Sequence, residues 1–121
     1  LVDIAVQAEY RFQFLPNSAV REAQIVFLPI AYDDTVCGVR GTARAPRAIF
    51  DASEQLEYYE EDLGWSPFLH MRPCVRPELR REDGETEAAF HARIAAEAKA
   101  IHDPEGSRLL ITLGGEHSIS P

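Results

Sequence analysis

At 121 residues, with 45% hydrophobic side chains and eight prolines spread along it, the chain has the composition of one globular unit and not of a disordered tail. Its formal charge of −8, from 12 basic and 20 acidic residues, makes the average surface repel phosphate, which argues against a nucleic-acid or anionic-membrane partner. A cationic ligand or a metal suits that balance better.

Cys37 and Cys74 form no close-spaced metal or redox pair, so reduced thiols and a cytoplasmic location are expected. No signal-peptide pattern opens the chain, and no apolar run approaches the roughly 20 residues needed to cross a bilayer. A first residue of Leu1 in place of Met is compatible with a trimmed start.

Residues 1–22 read as an N-terminal arm. Residues 23–30 (AQIVFLPI) are a nearly continuous apolar run of the length of a strand buried on both faces, with Pro29 near its end where a missing donor costs least. A polar, glycine-containing stretch follows. Pro46 then suits a first helical turn, and a helix is predicted over residues 46–59, with Ile49, Ala52, Leu56 and Tyr59 as its apolar stripe. The acidic run Glu60-Glu61-Asp62 is unfavourable at a helix C-terminus and places the end before Gly64.

Residues 68–75 (FLHMRPCV) predict a weaker strand, interrupted by Pro73 and suited to an edge. Residues 77–85 are charged and loop-like. Thr86 can cap a helix with Phe90, Ile94, Ala98 and Ile101 on one face, ending at Asp103-Pro104. Residues 108–113 (RLLITL) form a short apolar run broken by Gly114-Gly115. The order strand, helix, strand, helix, strand, turn argues for an α/β fold with a parallel sheet and crossover helices, without an internal linker.

In such a sheet the site lies outside the carboxyl ends of the strands, which selects the segments after Ile30 and after Leu113. The first contains Tyr32, Asp33, Asp34, Thr35, Cys37 and Arg40; the second contains Glu116, His117 and Ser118 behind two glycines. Two glycines after a buried strand let the backbone turn without Cβ clashes. His117 can be a hydrogen-bonded structural residue or can present a neutral imidazole nitrogen to a metal. Glu116 can be an acceptor behind that imidazole or a solvated turn residue, and Ser118 can cap a following helix.

Residues 113–121, LGGEHSISP, resemble the metal-ligand turn of the ureohydrolase family, which includes the agmatinases and arginases. The form with Glu116 is similar to agmatinase-type sequences. Residues 31–49, AYDDTVCGVRGTARAPRAI, resemble that family's segment after its first strand, usually PYD, a small residue, TV, an Arg-containing loop and GT, ending in GPRAI. The resemblance extends over residues 23–121, and the two motifs stand in the family's order.

The resemblance implies a three-layer αβα, mainly parallel, arginase-like domain of which this chain is the first part: an arm over 1–22 and a β-α-β-α-β-turn unit over 23–121. It implies hydrolysis of a small cationic guanidinium substrate to urea and an amine, with agmatine, a polyamine precursor that yields putrescine, foremost. It further implies two Mn²⁺ ions per complete site and a homo-oligomer, trimeric or hexameric. His117 corresponds to a histidine that ligates one Mn²⁺, while Glu116, Ser118, Tyr32 and Asp33 line or back the site. No catalytic residue is placed. The family's other ligands come from Asp-x-His-x-Asp and Asp-x-Asp runs, which residues 1–121 lack. The chain alone is therefore expected to be inactive and to expose an apolar sheet edge that favours aggregation.

Asp34, Cys37, Val39 and Ala45 depart from the family's glycine, serine, arginine and glycine, and bear on substrate choice more than on fold. Cys37 has no activating base specified nearby and reads as an inert small residue. His70 belongs to the weak strand, His91 has no metal-spaced partner, and His102 suits a helix C-terminus. Arg44, Arg47, Arg80 and Arg81 read as solvated surface, and Tyr58, Tyr59, Trp65 and Phe68 as packing or subunit-contact residues. Arginase, guanidinobutyrase and formimidoylglutamase remain alternative activities. Outside that class stand a phosphate-binding module that uses Gly114-Gly115 and a helix N-terminus, which Glu116 disfavours by repulsion, and a non-catalytic remnant.

Overall fold

The computed structural model describes residues 10–35 and 37–119. The first nine residues of the arm, Val36 of the first motif, and Ser120 and Pro121 of the second lie outside the described residues.

The hub of the fold is β1 (Ile25–Ala31), and every other strand pairs with it in parallel. Along one edge it pairs with β4 (Leu109–Gly114), in a register that runs from Ile25 opposite Leu109 to Ile30 opposite Gly114. A strand has only two edges. The short strands β2 (Pro73–Val75) and β3 (Leu79–Arg80) therefore share the other, β2 beside residues 25–27 and β3 beside residues 30–31. Pro29 lies within the strand, paired opposite Leu113.

The pleat of β1 sends alternate side chains to opposite layers. Val26, Leu28, Ile30 and Tyr32 face one cluster with Phe90, Ile94 and Ile101 of α2 (Glu87–Ile101). Ile25 and Phe27 face another with Phe50 of α1 (Ala45–Ser53) and Val75. The chain moves from β1 to one edge through α1, then crosses back to the opposite edge through α2. Right-handed crossovers in opposite directions place their helices on opposite faces. The result is part of a three-layer αβα domain, as expected.

The arm is integrated with the α1 layer. Phe12 stacks on Phe27 at 4.8 Å, and Tyr10 on Phe50 at 5.4 Å. The Asn17 side-chain oxygen accepts the Val75 amide at 2.7 Å.

Three segments differ from expectation. The helix that begins around Pro46 stops at Ser53 and does not reach Tyr59; its buried residues are Pro46, Phe50 and Ser53, while Ile49, Leu56 and Tyr59 are exposed. Ser53 explains the early end, because its hydroxyl donates to the Phe50 carbonyl at 2.6 Å and accepts the Gln13 amide at 3.0 Å. A side chain tied to the arm takes the helix out of its own periodicity. Residues 68–75 supply only three strand residues, with Pro73 at the first position, where its missing donor is tolerated. His70 accordingly lies outside that strand, following a 3-10 turn and stacked on Trp65 at 5.8 Å. The loop over 77–85 contains β3, whose two residues are too few to produce a periodic signal.

The second helix begins as predicted, with the Thr86 hydroxyl accepting the Ala89 amide at 3.1 Å and His102 at the C-cap. Glu85 and Arg93 close its entry by a double hydrogen bond of 2.8 and 3.0 Å, and the Arg93 guanidinium lies over the Phe90 ring at 5.2 Å. This pair holds the Glu85 carboxyl down at about 2, mainly through the Arg93 hydrogen bonds.

Candidate functional site

The register of β1 and β4 brings the two motif segments together. Because Ile30 is opposite Gly114, the residues that follow each strand emerge side by side, and the Glu116 amide donates to the Tyr32 carbonyl at 3.1 Å. The switch in crossover direction occurs at the same strand ends, where a crevice opens in sheets of this type.

Neither glycine of the turn has positive φ, so their role is close approach. A Cβ on Gly115 would meet the Tyr32 carbonyl oxygen at 2.0 Å and its carbon at 2.9 Å. A Cβ on Gly114 would meet Ile119 Cδ1 at 1.6 Å. The first obstacle is backbone and the second is the far end of a movable side chain. Gly115 thus allows the two strand ends to touch, and Gly114 makes room for the Ile119 side chain that closes the turn onto the α2-side core.

Each predicted site residue has a definite place. Tyr32 is buried, with its hydroxyl donating to Glu87 Oε1 at 3.1 Å; burial, then Glu87, raises its pKa above the ordinary value. Asp33 faces its own loop, where one carboxylate oxygen accepts the amides of Gly41 at 2.7 Å and Ala43 at 3.4 Å. Its work in the structure is to shape the segment after β1. Glu116 accepts from Thr35 Oγ1 at 2.6 Å and from the Ser118 hydroxyl, and these bonds, Ser118's first, lower its pKa. Ser118 lies inside a 3-10 turn, His117–Ile119, and directs its hydroxyl back to Glu116. His117 opens that turn and is exposed, and among the described residues no hydrogen bond engages its imidazole.

His91 is one residue that sequence reasoning set aside. Its Nε2 lies 3.2 Å from Ser118 Oγ, and its ring meets Tyr32 edge-on at 5.6 Å. The available signal was the i, i+4 spacing of Glu87 and His91, which puts both on the helix face against Tyr32. Arg80 and Arg81 are also more engaged than solvated surface implies, through ion pairs to Glu78 and Asp34 respectively.

A cavity of about 580 Å³ opens at the ends of β1 and β3, lined by Tyr32, Asp33, Asp34, Arg44, Arg47 and Glu78 among others. Glu116 and His117 are not part of its wall. It lies beside the turn, not over it.

Within the described residues of the turn, the donor that suits a transition metal is the exposed His117 imidazole at the strand end, whereas the Glu116 carboxylate is already engaged by two hydroxyls. Among the described residues no group of three or more His, Cys, Asp or Glu could hold a metal ion. Cys37 is exposed and Cys74 is buried. No helix of the described residues is long and apolar enough to cross a membrane.

Comparison with known proteins places the chain among ureohydrolases. The chain is 30% identical over 112 residues to the N(1)-aminopropylagmatine ureohydrolase of Synechocystis, a match over 89% of this chain and 37% of that protein. It is 32% identical over 104 residues to an N(1)-aminopropylagmatine ureohydrolase of Thermus thermophilus, over 86% and 34%. The crystal structure of agmatine ureohydrolase of Thermoplasma volcanium superposes with a TM-score of 0.72 at 26% identity, covering 85% of this chain and 33% of that one. The chain therefore spans about a third of the length of these relatives. The arginase family model matches residues 23–121, from just before β1 through the glycine turn, and the chain belongs to that family.

Proposed function

We propose that the protein carrying this chain is a ureohydrolase that cleaves a cationic guanidinium substrate, agmatine foremost, into urea and an amine, with His117 as one ligand of a Mn²⁺ pair. The observation that carries this reading is the glycine turn itself: it sets an exposed imidazole at the carboxyl ends of β1 and β4 in an arginase-family chain. When bound, two divalent cations supply a water nucleophile and charge stabilisation at the guanidinium carbon.

This chain's own residues do the positioning. Gly115 lets the turn lie against the Tyr32 carbonyl, Asp33 closes the adjoining loop, and Glu116, ionised and tied to Thr35, anchors the turn directly before His117. One imidazole cannot hold two cations, so residues 1–121 alone are inactive in this reading.

The relatives' names favour a second substrate, N(1)-aminopropylagmatine, which shares the guanidinium end and adds a positive charge at the other. The acidic chain is compatible with either. A phosphate-binding role is disfavoured by the Glu116 carboxylate, whose lowered pKa keeps it negative in the turn. A homo-oligomer is supported by the exposed Ile49, Leu56, Tyr58, Tyr59, Leu63 and Leu69, which leave apolar area for a neighbouring copy or the remainder of the protein to cover. Two cysteines that form no close-spaced pair in the sequence suit a reducing cytoplasm.

The test is urea release by the Mn²⁺-loaded full-length protein from agmatine and from N(1)-aminopropylagmatine, beside His117→Ala. Release from one of them, lost together with Mn²⁺ affinity in the variant, supports the reading. No release from any guanidinium substrate, or full Mn²⁺ affinity in His117→Ala, overturns it.

A further inference from the structure

The turn that carries His117 is held on both flanks. On one side the Glu116 amide is bonded to Tyr32 at 3.1 Å and its carboxylate accepts from Thr35 at 2.6 Å. On the other, Ser118 touches His91 of α2 at 3.2 Å. Ser118 has one hydroxyl proton, and that proton is directed to Glu116 Oε1. Its oxygen can then only accept from His91, which requires a proton on Nε2 of the imidazole. The order of donation is thus His91 to Ser118 to Glu116, with Thr35 as a second donor to the same carboxylate oxygen.

His91 is itself placed by packing. Its ring meets Tyr32 edge-on at 5.6 Å, and Tyr32 is fixed by burial and by its bond to Glu87, one helical turn before His91. Helix α2 is in turn anchored by the Thr86 cap and by the Phe90 and Ile94 side chains in the core. A rigid element therefore reaches the turn through one ring nitrogen.

We propose that His91 is a positioning residue for His117: by donating from Nε2 to Ser118, it orients the Ser118–Glu116 clamp and so fixes the direction in which the His117 imidazole leaves the sheet. This rests on the ureohydrolase reading of His117. Loss of the partner behind a metal ligand costs 10–100-fold in metal affinity, and His91 acts through one further hydroxyl, so an effect of about tenfold is expected.

Two variants of the full-length protein separate the N–H from the ring. His91→Phe keeps an aromatic ring against Tyr32 and removes the donor; His91→Gln removes the ring and keeps an N–H at similar reach. Mn²⁺ affinity is read from the paramagnetic resonance signal of free Mn²⁺ during titration, independently of turnover. The expected result is about tenfold weaker binding in His91→Phe and recovery to within about threefold of wild type in His91→Gln. Equal affinity of wild type and His91→Phe overturns the inference, as does equal weakening in both variants, which would assign the effect to the ring. Nitrogen-15 spectra of the metal-free wild type provide a readout that needs no metal. An Nε2–H tautomer for His91 supports the relay, and an Nδ1–H tautomer overturns it. A wild type that binds no Mn²⁺ overturns the reading of His117 and this inference with it; binding that is intact but insensitive to His91 overturns only the latter.

Discussion

The Glu116 amide donates to the Tyr32 carbonyl at 3.1 Å, joining two segments that are 84 positions apart in the numbering of the chain. This contact is possible because Gly115 has no Cβ; one would stand 2.0 Å from the same carbonyl oxygen.

The two glycines should therefore respond differently to substitution. Gly115→Ala pushes a methyl into backbone that β1 holds in place, and should destabilise by about 3 kcal/mol or more, at the upper end of overpacking costs. Gly114→Ala clashes with the Ile119 side chain, which can change rotamer, and meets the Ile30 carbonyl oxygen only at ordinary contact distance, so it should cost about 1 kcal/mol. Denaturant midpoints of the two variants provide the check, and a larger loss for Gly114→Ala would contradict the packing described.

The Glu85–Arg93 pair predicts an acid-dependent contribution to stability. Glu85 has its carboxyl lowered from an ordinary 4.5 to about 2 in the folded protein. A depressed carboxylate stabilises fully above its unfolded value and loses that contribution as pH falls through the folded one. The stability difference between wild type and Glu85→Gln should thus be constant above about pH 4.5 and shrink steadily toward pH 2. Urea melts at several pH values test this, and a difference independent of pH over that window would contradict it.

Removing the cap of α2 should have a small, defined effect. Thr86→Ala leaves the Ala89 amide without its partner and should cost about 1 kcal/mol, with Thr86→Asp restoring most of it. Thermal melts of the three proteins decide the matter.

The buried face of α1 can be tested by comparison within the helix. Phe50, fully buried between Tyr10 and Phe27, should lose about 3–5 kcal/mol on truncation to Ala. Ile49, 42% exposed, should lose clearly less, which is the reverse of what the sequence stripe implies. Equal losses at the two positions would show that Ile49 is covered in the full-length protein.

Periodicity and punctuation made much of the architecture legible. β1 stood out because burial on both faces demands a continuous apolar run, and α2 because Thr86 and the Phe90–Ile94–Ile101 spacing agree. The helix after Pro46 was misjudged because Ile49, Leu56 and Tyr59 have helical spacing without being buried. Its true face is set by the Ser53 bond to Gln13, a contact from 40 positions away. β3 was missed because a two-residue strand is defined by its neighbour and not by its own residues.

The candidate site divides in the same way. The local sequence determined the glycine turn, the residue types within it and the order of the two motifs, because these depend on backbone chemistry and on chain order. Only the tertiary structure decided that Glu116 bonds to Tyr32 and Thr35, that Asp33 serves its own loop, and that His91 reaches Ser118. Those pairings arise from the parallel register of β4 on β1 and from the seat of α2 over Tyr32, which no single segment encodes.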